Sequence, residues 1–118
     1  MIKKFRLLSE DDCQKIRDQL ALIEYEDGKR TAGPYVKELK NNRQVTYKNE
    51  KARPLLTAIQ NHLINSSYFR VISYPKSIIR TMINIHGPGE FYGKHCDNTY
   101  ITQPNQQSSR ADMSFTLF

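Results

Sequence analysis

Cysteine is scarce in this 118-residue chain: Cys13 and Cys96 lie far apart and outside any CxxC pair. That spacing argues against a zinc ribbon or a disulfide framework and fits a reducing compartment. Long apolar runs are missing too. No segment approaches the ~20 apolar residues of a membrane span, and Met1 to Leu8 lacks the sustained apolar stretch of a leader. A cytoplasmic protein with no membrane partner is expected. The length leaves no room for a second domain, and no internal repeat is visible. Clustered charge is absent as well. The 18 Lys and Arg exceed the 12 Asp and Glu, for a formal charge of +6, but Lys3, Lys4, Arg6, Lys29, Arg30, Lys37, Lys40 and Arg43 are dispersed. They read as a solvated basic surface, so nucleic acid is not an expected partner. No feature of the sequence sets an oligomeric state.

What is present suits a folded globular protein: 38% apolar residues, 25% charged, seven Tyr and five Phe. Ser9-Glu10-Asp11-Asp12 reads as a helix start, with Ser9 as cap, Asp12 completing a capping box and acidic groups at the positive dipole end. Cys13, Ile16, Leu20 and Ile23 then recur at helical spacing, and Asp27-Gly28 supplies a stop. A short strand is expected around Gln44 to Tyr47. Pro54 fits the first turn of a second helix whose apolar stripe is Leu55, Leu56, Ile59 and Leu63, ending near Asn65-Ser66-Ser67. His62 sits beside that stripe as a partly exposed helix histidine.

Ser77 to Ile85 is rich in β-branched residues, with Ile79, Thr81, Ile83 and Ile85 on one face of a predicted strand. Gly87-Pro88-Gly89 forces a turn, and Phe91 to His95 is expected to run as another strand into a loop at Asp97-Asn98. Thr99 to Arg110, including Gln103-Pro104-Asn105, reads as a mobile surface loop. Met113 to Phe118 returns to strand character, and an apolar strand there needs neighbours. That points to truncation, or to a partner that supplies the adjoining strands. Helices followed by strands imply an α+β fold.

His95-Cys96-Asp97 is an HxD pair. Two residues apart on a strand end, the imidazole and carboxylate point to one side, within chelating reach of one metal. Non-haem iron(II) oxygenases use two His and one carboxylate on one face, which leaves positions open for a co-substrate and dioxygen. An HxD pair alone arises by chance in about one such sequence in seven, so the surrounding pattern decides. Tyr92 lies on the opposite face of a regular strand from His95, where it reads as a packing aromatic. His86 reads as a pocket-wall or turn histidine rather than a ligand. Arg110 beside Asp112 reads as a loop salt bridge.

The surrounding pattern runs nearly end to end. It comprises Leu7-Leu8-Ser9, Asp27-Gly28, Thr31-Ala32-Gly33, Lys40-Asn41-Asn42, Gln44, Asn84, Gly89, Gly93, His95-x-Asp97-Asn98 and Arg110-Ala111-Asp112-Met113-Ser114-x-Thr116-Leu117-Phe118. In this order these residues resemble the N-terminal part of the PKHD-type (prolyl-hydroxylase-like) iron(II)/2-oxoglutarate-dependent dioxygenases. The resemblance implies a jelly-roll-like double-stranded β-helix, here incomplete. Residues 1–76 would form a helical support region and 77–118 the first strands. It implies Fe(2+) held by His95 and Asp97, 2-oxoglutarate as co-substrate, and a peptide or small-molecule substrate hydroxylated with release of succinate and carbon dioxide. A tyrosine at the offset of Tyr92 helps bind 2-oxoglutarate in related prolyl hydroxylases. The family's distal histidine and the arginine after it have no counterpart in this chain, and His86 stands where the family usually has tyrosine. A catalytically incomplete fragment or a non-enzymatic metal-binding module is therefore the alternative expectation.

Overall fold

The Ser9 hydroxyl accepts the Asp12 backbone N–H at 3.1 Å and donates to Asp12 Oδ2 at 2.8 Å. This caps helix α1, Glu10–Leu20, in the computed structural model, which describes residues 2–103 and 105–118. Asp12 takes the hydroxyl of the cap rather than its N–H, a variant of the expected box. Ile16 and Leu20 lean against the core, and Ile23, just past the helix, is buried in it.

Asn49 prepares the second helix by accepting the N–H groups of Lys51 and Ala52 on its side-chain oxygen. Helix α2, Arg53–Asn65, carries Pro54 in its first turn and buries Leu55, Leu56, Ile59 and Leu63, the stripe read from the sequence. Helical structure then continues. Ser66 closes α2 and caps α3, Ser67–Ser73, by accepting the Phe69 N–H at 3.2 Å. The Asn65-Ser66-Ser67 stop signal is thus also a start signal, and α3 was not expected. Leu56 is fully buried and Val45 nearly so. Burying a Leu or Val side chain of this kind contributes about 1.5–3 kcal/mol each.

The strands are short and all pair antiparallel. Strand β1 (Glu26–Asp27) pairs with β3 (Arg43–Val45), which pairs with β4 (Ile83–Ile85). Strand β2 (Lys40–Asn41) pairs with β5 (Phe91–Tyr92), and β6 (Tyr100–Thr102) pairs with β7 (Ser108–Arg110). Among the described residues the fold is α+β, with three α-helices and small antiparallel sheets. Several expected strands are shorter or absent. The β-branched run from Ser77 becomes a strand only at Ile83–Ile85, where β3 offers partners. The strand expected over 91–95 stops at Tyr92. Thr99 to Arg110 carries a hairpin rather than a loop, with Tyr100 opposite Arg110; the expected loop residue Pro104 lies outside the described residues. Met113 to Phe118 forms no strand; Phe115 instead meets Phe69 edge-on, ring centroids 6.2 Å apart. Among the described residues no helix is long and apolar enough to cross a membrane.

Candidate functional site

The segment that carries the HxD pair is held by its neighbours rather than by its own burial. Arg43 on β3 forks onto Glu90, at 2.8 Å and 3.1 Å, and Glu90 Oε2 accepts the Gly87 N–H. That clamp fixes the turn through Gly89, whose φ of +76° is a left-handed conformation that suits glycine. The Arg43 guanidinium holds the Glu90 carboxyl below the usual carboxylate range. From the turn, β5 returns along β2 with Tyr92 directly opposite Lys40. The Gly93 N–H donates to Leu39 O at 2.7 Å and ends the ladder.

Beyond Gly93 the chain leaves the strand direction. His95 folds back, its Nδ1 2.7 Å from the Gly93 carbonyl. A carbonyl only accepts, so Nδ1 carries the proton in the neutral ring and Nε2 keeps its lone pair. Nε2 faces Asp97 Oδ1 at 3.4 Å. The other carboxylate oxygen, Oδ2, accepts the Ser114 hydroxyl at 2.9 Å. Two atoms each about 2.1 Å from one ion lie about 3.0–3.4 Å apart when the angle at the ion is about 90–109°. The spacing and the donor set therefore fit two ligands of a single divalent ion. The bonds to Gly93 and Ser114 are of the kind that orient a ligating imidazole and carboxylate. Among the described residues no third His, Cys, Asp or Glu joins the pair.

Tyr92 does not point away from His95. Its ring stacks on the imidazole, centroids 3.7 Å apart and planes 14° from parallel. The expectation of opposite faces assumed a regular strand through 95; the strand ends at Tyr92 and the chain bends at Lys94. Burial, and then the Asp97 carboxylate, push the Tyr92 phenol up, which keeps it protonated. Lys40 corrects the sequence reading as well. Rather than sitting on a solvated basic face it is 3% exposed, with Nζ donating to Gln44 Oε1 at 3.0 Å and Thr31 Oγ1 at 3.1 Å. The same Nζ lies over the Tyr92 ring, 4.8 Å from its centroid. Burial pushes the Lys40 ammonium down, Asp27 opposes that shift and Arg80 adds to it.

Lys40, Asn42 and Gln44 alternate along the chain and are all buried. Hydrophobic periodicity cannot find such a polar inner face, although two-residue spacing of Lys, Asn and Gln between exposed Asn41 and Arg43 is its trace. Ser114 also escaped the sequence reading, since only folding brings it to Asp97.

The remaining histidines lie elsewhere. His62 is exposed on α2, bordering a groove of about 570 Å³ that Leu7, Asn61 and Asn65 also line. His86 Nε2 accepts the Asn42 side-chain N–H at 3.1 Å, so its lone pair already has a partner. Cys13 and Cys96 are both free, and Arg110 pairs with Asp112 as expected.

An α+β scaffold thus brings an imidazole nitrogen and a carboxylate oxygen within 3.4 Å of each other, each oriented by a hydrogen bond. No protein-family model matches the chain. Curated relatives do. A PKHD-type hydroxylase of Synechococcus elongatus is 33% identical over 112 residues, covering 95% of this chain and 50% of that protein. A PKHD-type hydroxylase of Picosynechococcus is 33% identical over 113 residues, 96% of this chain and 49% of its own. One from Acaryochloris marina is 32% identical over 112 residues, 95% and 49% respectively. The chain is a homologue of the PKHD-type hydroxylases, and it spans about half the length of the curated relatives it matches.

Proposed function

We propose that a protein carrying this chain is an iron(II)/2-oxoglutarate-dependent hydroxylase of a peptide or small-molecule substrate, releasing succinate and carbon dioxide. The carrying observation is the His95–Asp97 pair, with Nε2 and Oδ1 3.4 Å apart and each group oriented by a hydrogen bond. The hydroxylase names of the relatives support the reaction class. In this reading His95 and Asp97 are two iron ligands, Tyr92 lines the 2-oxoglutarate pocket, and the short ladders belong to a double-stranded β-helix. A third ligand and a basic residue for the far carboxylate would come from the part of the relatives' length that this chain does not match. Bound iron supplies dioxygen activation; the residues here position it and fix the imidazole tautomer.

A second reading, a metal-binding module without turnover, is favoured by one observation: among the described residues no third ligating side chain joins the pair. Anaerobic iron(II) titration of the 118-residue chain, with and without 2-oxoglutarate and with His95→Ala as control, tests both. A visible charge-transfer band that needs both 2-oxoglutarate and His95 supports a co-substrate site within this chain. Iron uptake that needs His95 but gives no band means a chain that is catalytically incomplete by itself, and succinate release by a full-length form then decides between the two readings. Uptake unchanged in His95→Ala overturns both.

A further inference from the structure

We infer that Lys40 is a positioning residue for the His95–Asp97 pair, acting through the Tyr92 ring that lies between the ammonium and the imidazole. The inference rests on the metal-site reading above for its purpose, though not for its geometry. Four observations carry it. Lys40 and Tyr92 are direct cross-strand partners in the β2–β5 ladder. Lys40 Nζ lies over the Tyr92 ring at 4.8 Å, and the imidazole of His95 lies on that ring at 3.7 Å, nearly parallel. An imidazole at stacking distance leaves no room on its own face for an ammonium, so the two occupy opposite faces and form a column. Finally, Lys40 is buried, and its hydrogen bonds run to the neutral oxygens of Thr31 and Gln44 rather than to a carboxylate.

A buried cation bonded only to neutral groups is a costly arrangement, and the face of an aromatic ring is a favourable place for it. Its consequence is local. The ring is held by the ammonium over it and by the β2–β5 pairing of its backbone, so it offers a fixed plane on which His95 stacks. The imidazole is then confined by that plane and by the Gly93 carbonyl together. Nε2 is thereby held 3.4 Å from Asp97 Oδ1. Orienting contacts of this rank shift metal affinity by about 10–100-fold when removed. Lys40→Met keeps the volume and the stem and removes the charge. The Thr31 hydroxyl still donates to Gln44 Oε1, at 2.7 Å, so the polar floor keeps a bond.

The test has two arms on the whole chain. In the first, metal-free protein is examined by NMR for the His95 ring-nitrogen shifts and the upfield ring-current shift of its carbon-bound protons. The wild type and Lys40→Arg are expected to show one tautomer, protonated at Nδ1, with shifted protons; Lys40→Met is expected to show averaged tautomers and reduced shifts. In the second, cobalt(II) is titrated as a spectroscopic probe of the site. Lys40→Met is expected to bind about tenfold more weakly and Lys40→Arg to stay within about twofold of wild type. Tyr92→Leu breaks the column without touching any hydrogen bond of Lys40 and should weaken cobalt similarly, whereas Tyr92→Phe should not. That pair stands in if Lys40→Met fails to fold. Unchanged tautomer and unchanged cobalt affinity in Lys40→Met, or in Tyr92→Leu where it stands in, overturn the column and leave the metal site standing. Loss of the single tautomer with no His95-dependent cobalt binding in any variant keeps the column and overturns the metal reading.

Discussion

Residues 8–69 and residues 82–118 are built on different terms. The first stretch supplies every buried apolar side chain among the described residues, from Leu8 through Val45 and Leu56 to Phe69. From Met82 onward no described residue is buried, yet this stretch carries His95, Asp97, Tyr92 and Ser114. Stability is concentrated in one region and the candidate chemistry in the other. Their meeting points include the β3–β4 and β2–β5 ladders, the Arg43–Glu90 clamp, the Asn42–His86 and Gly93–Leu39 hydrogen bonds, Lys40 over Tyr92, and Phe69 against Phe115. Loosely buried segments open at low free energy, which suits a site that must admit ligands and which makes its few ties decisive.

The sharpest way to break this division is Leu56→Ala. Leu56 is fully buried among α2, β3 and their neighbours, so the variant should lose about 2–5 kcal/mol in denaturant unfolding. His95→Ala, measured alongside, should stay within about 0.5 kcal/mol. Equal losses from both would erase the distinction between the two regions.

Gly28→Ala should fall next, at about 1–3 kcal/mol of overpacking strain. A Cβ there would sit 1.8 Å from Asn42 Oδ1 and 2.9 Å from the Asn42 carbonyl oxygen, which accepts the Gly28 N–H. Because Asn42 lies between β2 and β3, this stability loss should come with a weakened His95–Asp97 pair, read as reduced cobalt(II) affinity. Full affinity in a destabilised Gly28→Ala would show the regions to be more independent than the ladders suggest. Ser114→Ala addresses only the second region: about tenfold weaker cobalt(II) binding is expected from freeing Asp97, with no change in the thermal midpoint.

The smallest expected effect is on pH response. The folded carboxyl of Glu90 titrates below its ordinary range, chiefly because Arg43 donates to it. Its stabilisation is therefore full above the unfolded pKa and is lost as pH falls through the folded one. The Gly87 amide resonance should move across that acidic window in the wild type and stay flat in Glu90→Gln. A matching shift in Glu90→Gln would sever the clamp from the turn.

Much of the first region was legible because its signals are local. A serine cap with acidic residues, and a four-residue apolar stripe behind a proline, specify α1 and α2 without reference to the rest of the fold. Helix α3 was missed since Ser66 serves two helices at once. In the second region His95 Nε2 and Asp97 Oδ1 lie 3.4 Å apart, although the strand on which the HxD spacing was read stops at Tyr92. The rest depended on partners. The run Ile79 to Ile85 is strand-like throughout but pairs only where β3 runs alongside, and Met113 to Phe118 has strand composition without a strand to join. Tyr92 on His95 follows from a bend at Lys94 that no periodicity encodes. Lys40 hid behind its type, because lysine at an isolated position reads as solvent-facing. The exposed apolar side chains of Met113 and Phe118 also suggest association through this segment. Size exclusion at several concentrations tests that, and a monomer throughout would count against it.

The acceptor for His95 Nδ1 is a main-chain oxygen, that of Gly93. Side-chain replacement cannot delete it. A Cβ at 93 would meet the Leu39 side chain at 3.4 Å, an ordinary contact, so most substitutions there should keep both the oxygen and its direction. Proline is the exception, since it removes the N–H that binds Leu39 O. A saturation library at position 93 should therefore rank its members by the path they impose on the chain and ignore their polarity. The acceptor that selects the imidazole tautomer belongs to the backbone, where drift in sequence reaches it last.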